Sequence, residues 1–505
     1  MNATHRPLIS IALFCAMLSS SAWAMTETQT EQQPPFTLQK MLDRLVEHNG
    51  ELKIQSLERQ IAEASVENAQ SSFEPTLTAY AKRESEFTRN TVEEKLSRST
   101  YDEYFNIVNE TGFTISKAFV TGTNLDFETK LTDNHNNLQS DSTRGREFDT
   151  YVGMTLTQPL LKGAGRSVAT ANLRMSEKDY DIAKHSAEQT RMQVIARAVA
   201  AYLDLQLAHQ KVALQESSVA IAKKLLSDTQ GQSRAGRTAR TEVLDAQTGV
   251  DLRYNESLNA KQQLATATTA LQTLIMDQTD GKFRPFKNVP ALSLPELPDL
   301  DYEHNMNQAR NNRPEMFAAR TKMAKEHVRL TYAKNQRLPQ LDLNGSYGVN
   351  GMATTVNRAF DDAWKGDHAS WSVSVTLTSP LDGGRKSKSE LLAARSRQIQ
   401  ASTEAKMMEV QIGNTLASTL QRIHSLQSQL KTLKTVEERQ EELLAIEMNR
   451  LKQGKGNARR VLERETLLNA AKQNHLEHMA LLHKARIDLL LTNGTLLEVL
   501  NLAAR

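Results

Sequence analysis

The sequence predicts a mainly α-helical chain with a β-barrel portion in a membrane, built from a helix-strand-strand-helix unit that occurs twice. Three observations lead there. Short alternating strands run directly into two very long helical stretches, the two halves of the chain match in register, and the composition is thin for a globular core. Of 505 residues only 39% are hydrophobic and 5% aromatic. That suits long helices packed along narrow seams, not a sphere.

The chain opens with an export signal. Arg6, an apolar run from Leu8 to Leu18 and Ala22-Trp23-Ala24 form the basic, apolar and cleavage regions of a secretory signal peptide over residues 1–24. The apolar run is too short to span about 30 Å of hydrocarbon. The single cysteine, Cys15, lies inside this segment behind Phe14, so no lipid anchor and no disulfide are expected in the mature chain. Lys plus Arg number 62 against 59 Asp plus Glu, a net charge of +3, and no basic stripe points to nucleic acid. Beyond the leader no run of 18 apolar residues occurs, which excludes a helical membrane protein but not a β-barrel.

The first repeat is read over residues 36–283 and the second over 301–505, joined by the Pro-rich connector 284–300. Glu51 and Glu315 each stand 24 residues before a proline, Pro75 and Pro339, where a helical pattern gives way to alternation. Arg166 precedes Val243 by 77 residues, and Arg385 precedes Val461 by 76. Register kept over such distances marks an internal duplication. Each copy therefore carries two barrel strands, at about 73–83 and 147–160 in the first and about 339–349 and 370–381 in the second. Long helices follow at about 166–230 and 385–452, with return helices at about 240–277 and 458–491.

The seams step by three and four residues, through Val194, Ala198, Ala201, Leu205 and Ala208, and through Ile412, Leu416, Leu420, Ile423 and Leu430. Helices alone would fit a coiled-coil rod. The strands argue otherwise: Trp371, Val373, Val375 and Leu377 alternate with Ser372, Ser374, Thr376 and Thr378, as between lipid and water. Both copies leave the strand through a proline and glycines: Pro159, Gly163 and Gly165, then Pro380, Gly383 and Gly384. Proline ends the ladder and glycine permits the turn into a steep helix. One chain has too few strands to close around a channel, and a membrane sheet leaves no edge unpaired. Closure therefore needs several copies, and a trimer presents six similar units around its axis.

With "FEPTL" at Phe73–Leu77, "LTQPLLKGAGR" at Leu156–Arg166, "LTSPLDGGR" at Leu377–Arg385 and the turns before "EVLDAQ" and "RVLERE", the chain resembles the TolC-like family of outer membrane efflux proteins over its whole mature length. The resemblance implies a homotrimer with a 12-stranded outer-membrane β-barrel, four strands per chain, continued by a long periplasmic α-helical barrel. An equatorial belt would form partly from the connector and the C-terminal region. It implies the exit duct of a tripartite efflux pump or type I secretion system. Partners would be a periplasmic adaptor (membrane fusion protein), an inner-membrane ABC, RND or MFS transporter, and outer-membrane lipid. It implies no cofactor and no enzyme activity.

In the family the turns between long and return helices close the periplasmic entrance. These fall on Ser233–Gln247 and Leu451–Glu465, with Gly236 and Gly454 at the turns. The cap position is Ala239 in the first copy, with Thr238 beside it as a substitute, and Asn457 in the second; the acidic position is Glu242 in the first and Arg460 in the second. The Tyr and Arg of the family's gate fall on Leu451 and Gly456, which make neither contact. The candidate gate is therefore a set of charges, Glu242, Asp245, Arg460 and Glu463, with Arg460 opposite Glu242 or Asp245 as one arrangement.

A further departure is Glu110–Thr150, absent from the second copy, which reads as a hairpin at about 111–131 turning at Val120–Thr123. An extracellular projection is the favoured reading, and two extra barrel strands, 18 in a trimer, the other. Catalytic motifs are missing: there is no His-Glu-x-x-His, Gly-x-Ser-x-Gly or phosphate loop. The alternative to a duct is a non-pore periplasmic coiled-coil adaptor or surface structural protein.

Overall fold

In the computed structural model, which describes residues 35–98, 100–139, 146–276, 284–381 and 383–502, the two halves of the chain follow one plan, to which the first adds two strands and a short helix. The first runs α1 (Leu38–His48), α2 (Gly50–Ser71), β1 (Thr76–Arg89), α3 (Val92–Ser97), β2 (Glu103–Ala118), β3 (Asn124–Asn136), β4 (Glu147–Pro159), α4 (Arg166–Ala169), α5 (Ala171–Arg234) and α6 (Arg240–Leu274). The second runs α7 (Tyr302–Asn312), α8 (Pro314–Asn335), β5 (Gln340–Ala353), α9 (Val356–Lys365), β6 (Ala369–Thr378), α10 (Arg385–Lys452), α11 (Ala458–Thr492) and α12 (Leu496–Val499). The expected signal peptide lies outside the described residues.

Helices α5 and α10 hold 64 and 68 residues, roughly 100 Å each at 1.5 Å per residue. Neither is amphipathic in the ordinary sense, because the buried stripe is narrow and rich in alanine. In α10 it runs through Ile412, Leu416, Leu420, Ile423, Leu426 and Leu430. Leu426 thus fills the step between Ile423 and Leu430. The first long helix breaks after its opening turn: Thr170 leaves helical geometry (φ −90°, ψ 11°) while its hydroxyl donates to the Arg166 carbonyl, 2.7 Å away.

Apolar burial comes in separate clusters along the helices. The largest gathers Met41 and Leu42 of α1, Ile195 and Leu205 of α5, Leu271 of α6, Phe286 of the connector and Leu496 of α12. Phe36 stacks on Phe286 with ring centroids 4.1 Å apart, and its carbonyl accepts from the Tyr202 hydroxyl at 2.8 Å. Burial pushes the Tyr202 pKa up to about 12, so it stays a neutral donor. A second cluster joins α7, α10 and α11, and a third closes the far end of the helices around Leu225, Ala246, Leu444 and Val461.

All six strands form one antiparallel sheet in the order β1-β2-β3-β4-β5-β6. This corrects the expectation of four strands per chain, and with it the favoured reading of the 111–131 hairpin as a projection. Strand β2 pairs with β1 from Thr76↔Ser116 to Arg89↔Glu103, and β3 is held between β2 and β4. The turn between β2 and β3 lies at the helix end of the sheet: Gly122 stands against Gly163, and the Gly165 N–H donates to the Thr121 carbonyl at 3.1 Å. A projection would have turned away from the helices. The expectation failed because alternation starts before residue 110, within the polar stretch "EYFNIVNE", where hydropathy gives little contrast.

Register sorts the two faces. Leu77, Ile115, Phe127, Met154, Tyr347 and Trp371 share one; Thr78, Thr114, Glu128, Thr155, Ser346 and Ser372 share the other. The apolar side chains are largely bare, Trp371 being 74% exposed. A contiguous apolar face of this size on an otherwise polar chain marks a surface that packs against a partner or a membrane. On the other face the Ser346 and Ser372 hydroxyls are 2.8 Å apart.

Candidate functional site

The chain leaves the sheet for the long helices at two junctions. Gly163 and Gly165 (φ +85° and +88°) and Gly383 and Gly384 (φ +74° and +67°) all adopt backbone angles that favour glycine. The first junction is pinned by Asn335 at the end of α8: its side-chain oxygen accepts from the Gly163 N–H at 2.8 Å and its amide donates to the Leu161 carbonyl at 3.0 Å. Pro159 still pairs with Asp342, whereas the second ladder ends at Thr378, two residues before Pro380.

At the opposite end the two inter-helix turns are built alike. Gly236 and Gly454 (φ +70° and +72°) close the long helices. The Arg237 N–H reaches the Gln232 carbonyl at 2.9 Å, and the Lys455 N–H reaches Arg450 at 2.9 Å, the six-to-one bond of a Schellman turn. Asn457 caps α11 by accepting from the Arg460 N–H at 3.1 Å. Thr238 does not cap α6; the cap is Ala239, without a side-chain bond.

The candidate gate residues separate into distinct surroundings. A Glu242 carboxylate oxygen accepts from the Ala458 N–H at 3.1 Å, so the first hairpin caps the first turn of the second hairpin's return helix. That places a negative charge where the helix dipole favours it. Glu463 pairs within its own helix, with Arg459 at 3.3 Å, and both are exposed. Arg460 and Asp245 are also exposed, and among the described residues no ion pair joins Arg460 to Glu242 or Asp245. Leu451 packs against the apolar tip cluster. At Gly456 a Cβ would stand 3.0 Å from the Leu451 backbone nitrogen, so a side chain would need that turn to shift.

A stronger tie between the hairpins lies deeper and was not anticipated. Arg253 of α6 and Glu465 of α11 are both nearly buried, with Nε to Oε2 at 2.7 Å. The Ser218 hydroxyl of α5 donates to the other Glu465 oxygen, and Arg253 also donates to the Thr466 hydroxyl. One carboxylate thus links three helices from both repeats. Next along the seam the Asn469 amide donates to Gln215 at 3.1 Å, and Lys211 meets Glu477 at 2.6 Å. A signal was present in the sequence: Arg253 follows Ala246 and Gly249, and Glu465 follows Ala458 and Val461, at the spacing of a buried stripe. Opposite charges on two such stripes read as partners.

The connector is held by side chains of both repeats. Gln206 donates to the Pro290 carbonyl at 2.9 Å, and Gln272 to the Arg284 carbonyl at 2.9 Å. His209 hydrogen-bonds the Phe286 backbone and His483 the Ser293 carbonyl. Burial is the main cause holding both imidazoles below their ordinary pKa of 6.5; Arg486 adds to it at His483, and the backbone bonds oppose it at both.

Among the described residues no cluster of three or more His, Cys, Asp or Glu could hold a metal ion, and no helix is long and apolar enough to cross a membrane.

Comparison with solved structures finds the same fold. A membrane protein from Pseudomonas aeruginosa superposes with a TM-score of 0.66 at 19% identity, covering 90% of each chain. The CmeC outer membrane channel of Campylobacter jejuni gives 0.66 at 15% identity, covering 91% of this chain and 86% of its own. The open state of the Neisseria gonorrhoeae MtrE outer membrane channel gives 0.62 at 17%, covering 91% and 89%. No curated protein sequence matches the chain. The family model described as Outer membrane efflux protein matches residues 121–275 and 305–495, and on that match the chain belongs to the outer membrane efflux protein family.

Proposed function

We propose that three copies of this chain form an exit duct of a tripartite efflux pump or type I secretion system, conducting substrates passively from the periplasm to the exterior. One observation carries the reading. A sheet with one bare apolar face and one polar face sits at the end of helical hairpins about 100 Å long, and the outer edges of its end strands β1 and β6 are unpaired within the described chain. In hydrocarbon each unpaired backbone group costs several kcal/mol, so β1 of one copy pairs with β6 of the next. Three copies then close 18 strands, half as many again as the family's 12, and the barrel widens roughly in proportion. The α5–α6 and α10–α11 hairpins of each copy continue it as the periplasmic tube. An adaptor would recruit this tube to an ABC, RND or MFS transporter in the inner membrane.

The entrance is held by the inter-hairpin contacts of Glu242 and Arg253–Glu465, with Asp245, Arg460 and Glu463 on its rim. The chain acts without chemistry: pore width, lining charge and partner recruitment do its work. Single-channel recording in planar bilayers tests the proposal. Purified protein should insert and conduct, more so after loosening of the tip. Folded protein that never opens a pore, even with Glu465 replaced, would favour a non-pore periplasmic adaptor or surface protein.

A further inference from the structure

Helix α9 lies on the apolar face of the sheet, not in the loop beyond it. Thr150 and Gly351 are register partners on that face. The Thr150 hydroxyl donates to the Ala359 carbonyl at 2.9 Å, and a Cβ on Gly351 would stand 2.1 Å from that same oxygen. Ala359 and Ala363 are fully buried in this contact. From it Phe360 and Trp364 reach sideways and roof a groove of about 500 Å³ floored by Ala79, Phe113, Phe127 and Val152. Trp364 nevertheless stays 72% exposed.

The position of α9 along the strands identifies the occupant. Its contact at Gly351 lies beyond the Tyr347↔Trp371 pair on the same face, toward the end of the sheet away from the long helices. Aromatic side chains at such a level mark the boundary between hydrocarbon and headgroups. The groove floor is continuous with the bare apolar band, while Arg358, Asp361, Asp362 and Lys365 give α9 a charged side, with Lys365 and Asp362 3.7 Å apart. A short helix with one apolar and one charged side, lying along a membrane boundary, is an interfacial helix. Resting on the membrane-barrel reading above, we propose that α9 lies at the outer-leaflet boundary and that the groove beneath Phe360 and Trp364 holds one acyl chain of an outer-leaflet lipid.

Two tryptophans make the test internal. With Trp23→Phe in both, Trp371→Phe leaves Trp364 alone, and Trp364→Phe leaves Trp371 alone. Full-length protein is reconstituted into phosphatidylcholine vesicles with acyl chains brominated at carbons 6 and 7, and emission is compared with unbrominated vesicles. Both residues should be quenched several-fold. Filling the groove floor with Ala79→Phe, or separately with Thr129→Phe, should weaken quenching of Trp364 and leave that of Trp371 unchanged. Quenching of Trp371 without Trp364 would overturn the proposal and leave the barrel standing, α9 then being covered by a neighbouring copy or another protein. Quenching of Trp364 that neither filled variant alters, in vesicles that conduct, would overturn occupancy of the groove. If neither tryptophan is quenched, the membrane barrel itself fails, and the proposal with it.

Discussion

Replacing Glu465 by alanine strands the Arg253 guanidinium in a nearly buried seam and removes the acceptor of the Ser218 hydroxyl. Removing one partner of a buried ion pair costs about 3–5 kcal/mol, whereas replacing both by apolar side chains is often neutral. Glu465→Ala should therefore unfold at markedly lower urea concentration or temperature, and Arg253→Met with Glu465→Leu should recover most of the loss. A single variant as stable as the wild type would contradict the burial. The same reasoning ranks the tip charges. Glu242 reaches across to the other hairpin, but Glu463 pairs only with Arg459 on its own helix. Glu242→Ala should raise resting conductance, with the loss of a helix cap worth about 0.5–2 kcal/mol. Glu463→Ala should change it little, since exposed i,i+4 pairs contribute about 0.3–0.5 kcal/mol. Equal effects from the two in single-channel records would argue against Glu242 as the inter-hairpin tie.

Among the elements, the strand-to-helix junctions and the connector respond to different perturbations. Gly165 combines φ +88° with ψ 150°, a region essentially reserved for glycine, where a side chain costs about 1–3 kcal/mol. Gly165→Val should lower the yield of heat-resistant oligomer in outer-membrane fractions, while Gly231→Ala, inside α5 with open space around it, should not. The connector responds to pH. His209 and His483 have depressed pKa values in the fold, so the unfolded chain takes up protons first as pH falls through 6.5. Their neutral forms thus stabilise the fold fully above that pH, and the contribution is lost as pH drops toward the folded values. Thermal unfolding between pH 7.5 and 5 should show a decline that His209→Gln with His483→Gln reduces; an unchanged slope would remove the histidines from the account.

The elements also show what the sequence made legible. Helix α10 runs unbroken from Arg385 to Lys452 because Pro380, Gly383, Gly384 and Gly454 punctuate its ends and nothing interrupts the seam between them. The β2–β3 hairpin was visible from Gly122, but its place in the sheet was not. That place depends on pairing with β1 and β4, which no local pattern encodes. The Arg253–Glu465 tie was only half legible: the buried stripes mark each charge, but the pairing of two charges 212 residues apart follows from how the repeats pack together.

For the whole molecule the account rests on closure of six-stranded sheets by neighbouring copies. The two open edges are β1 and β6, and the only cysteine, Cys15, lies in the predicted leader, so engineered thiols can report the contact without competition. The most direct measurement is disulfide cross-linking in outer-membrane fractions between Thr78→Cys on β1 and, in turn, Ser370→Cys, Ser372→Cys, Ser374→Cys or Thr376→Cys on β6 in the same chain. The account predicts that one of these registers yields covalent dimers and trimers under oxidation and nothing larger. Chains with full β content that cross-link at no register, or that form ladders beyond three, would contradict a barrel closed by three copies.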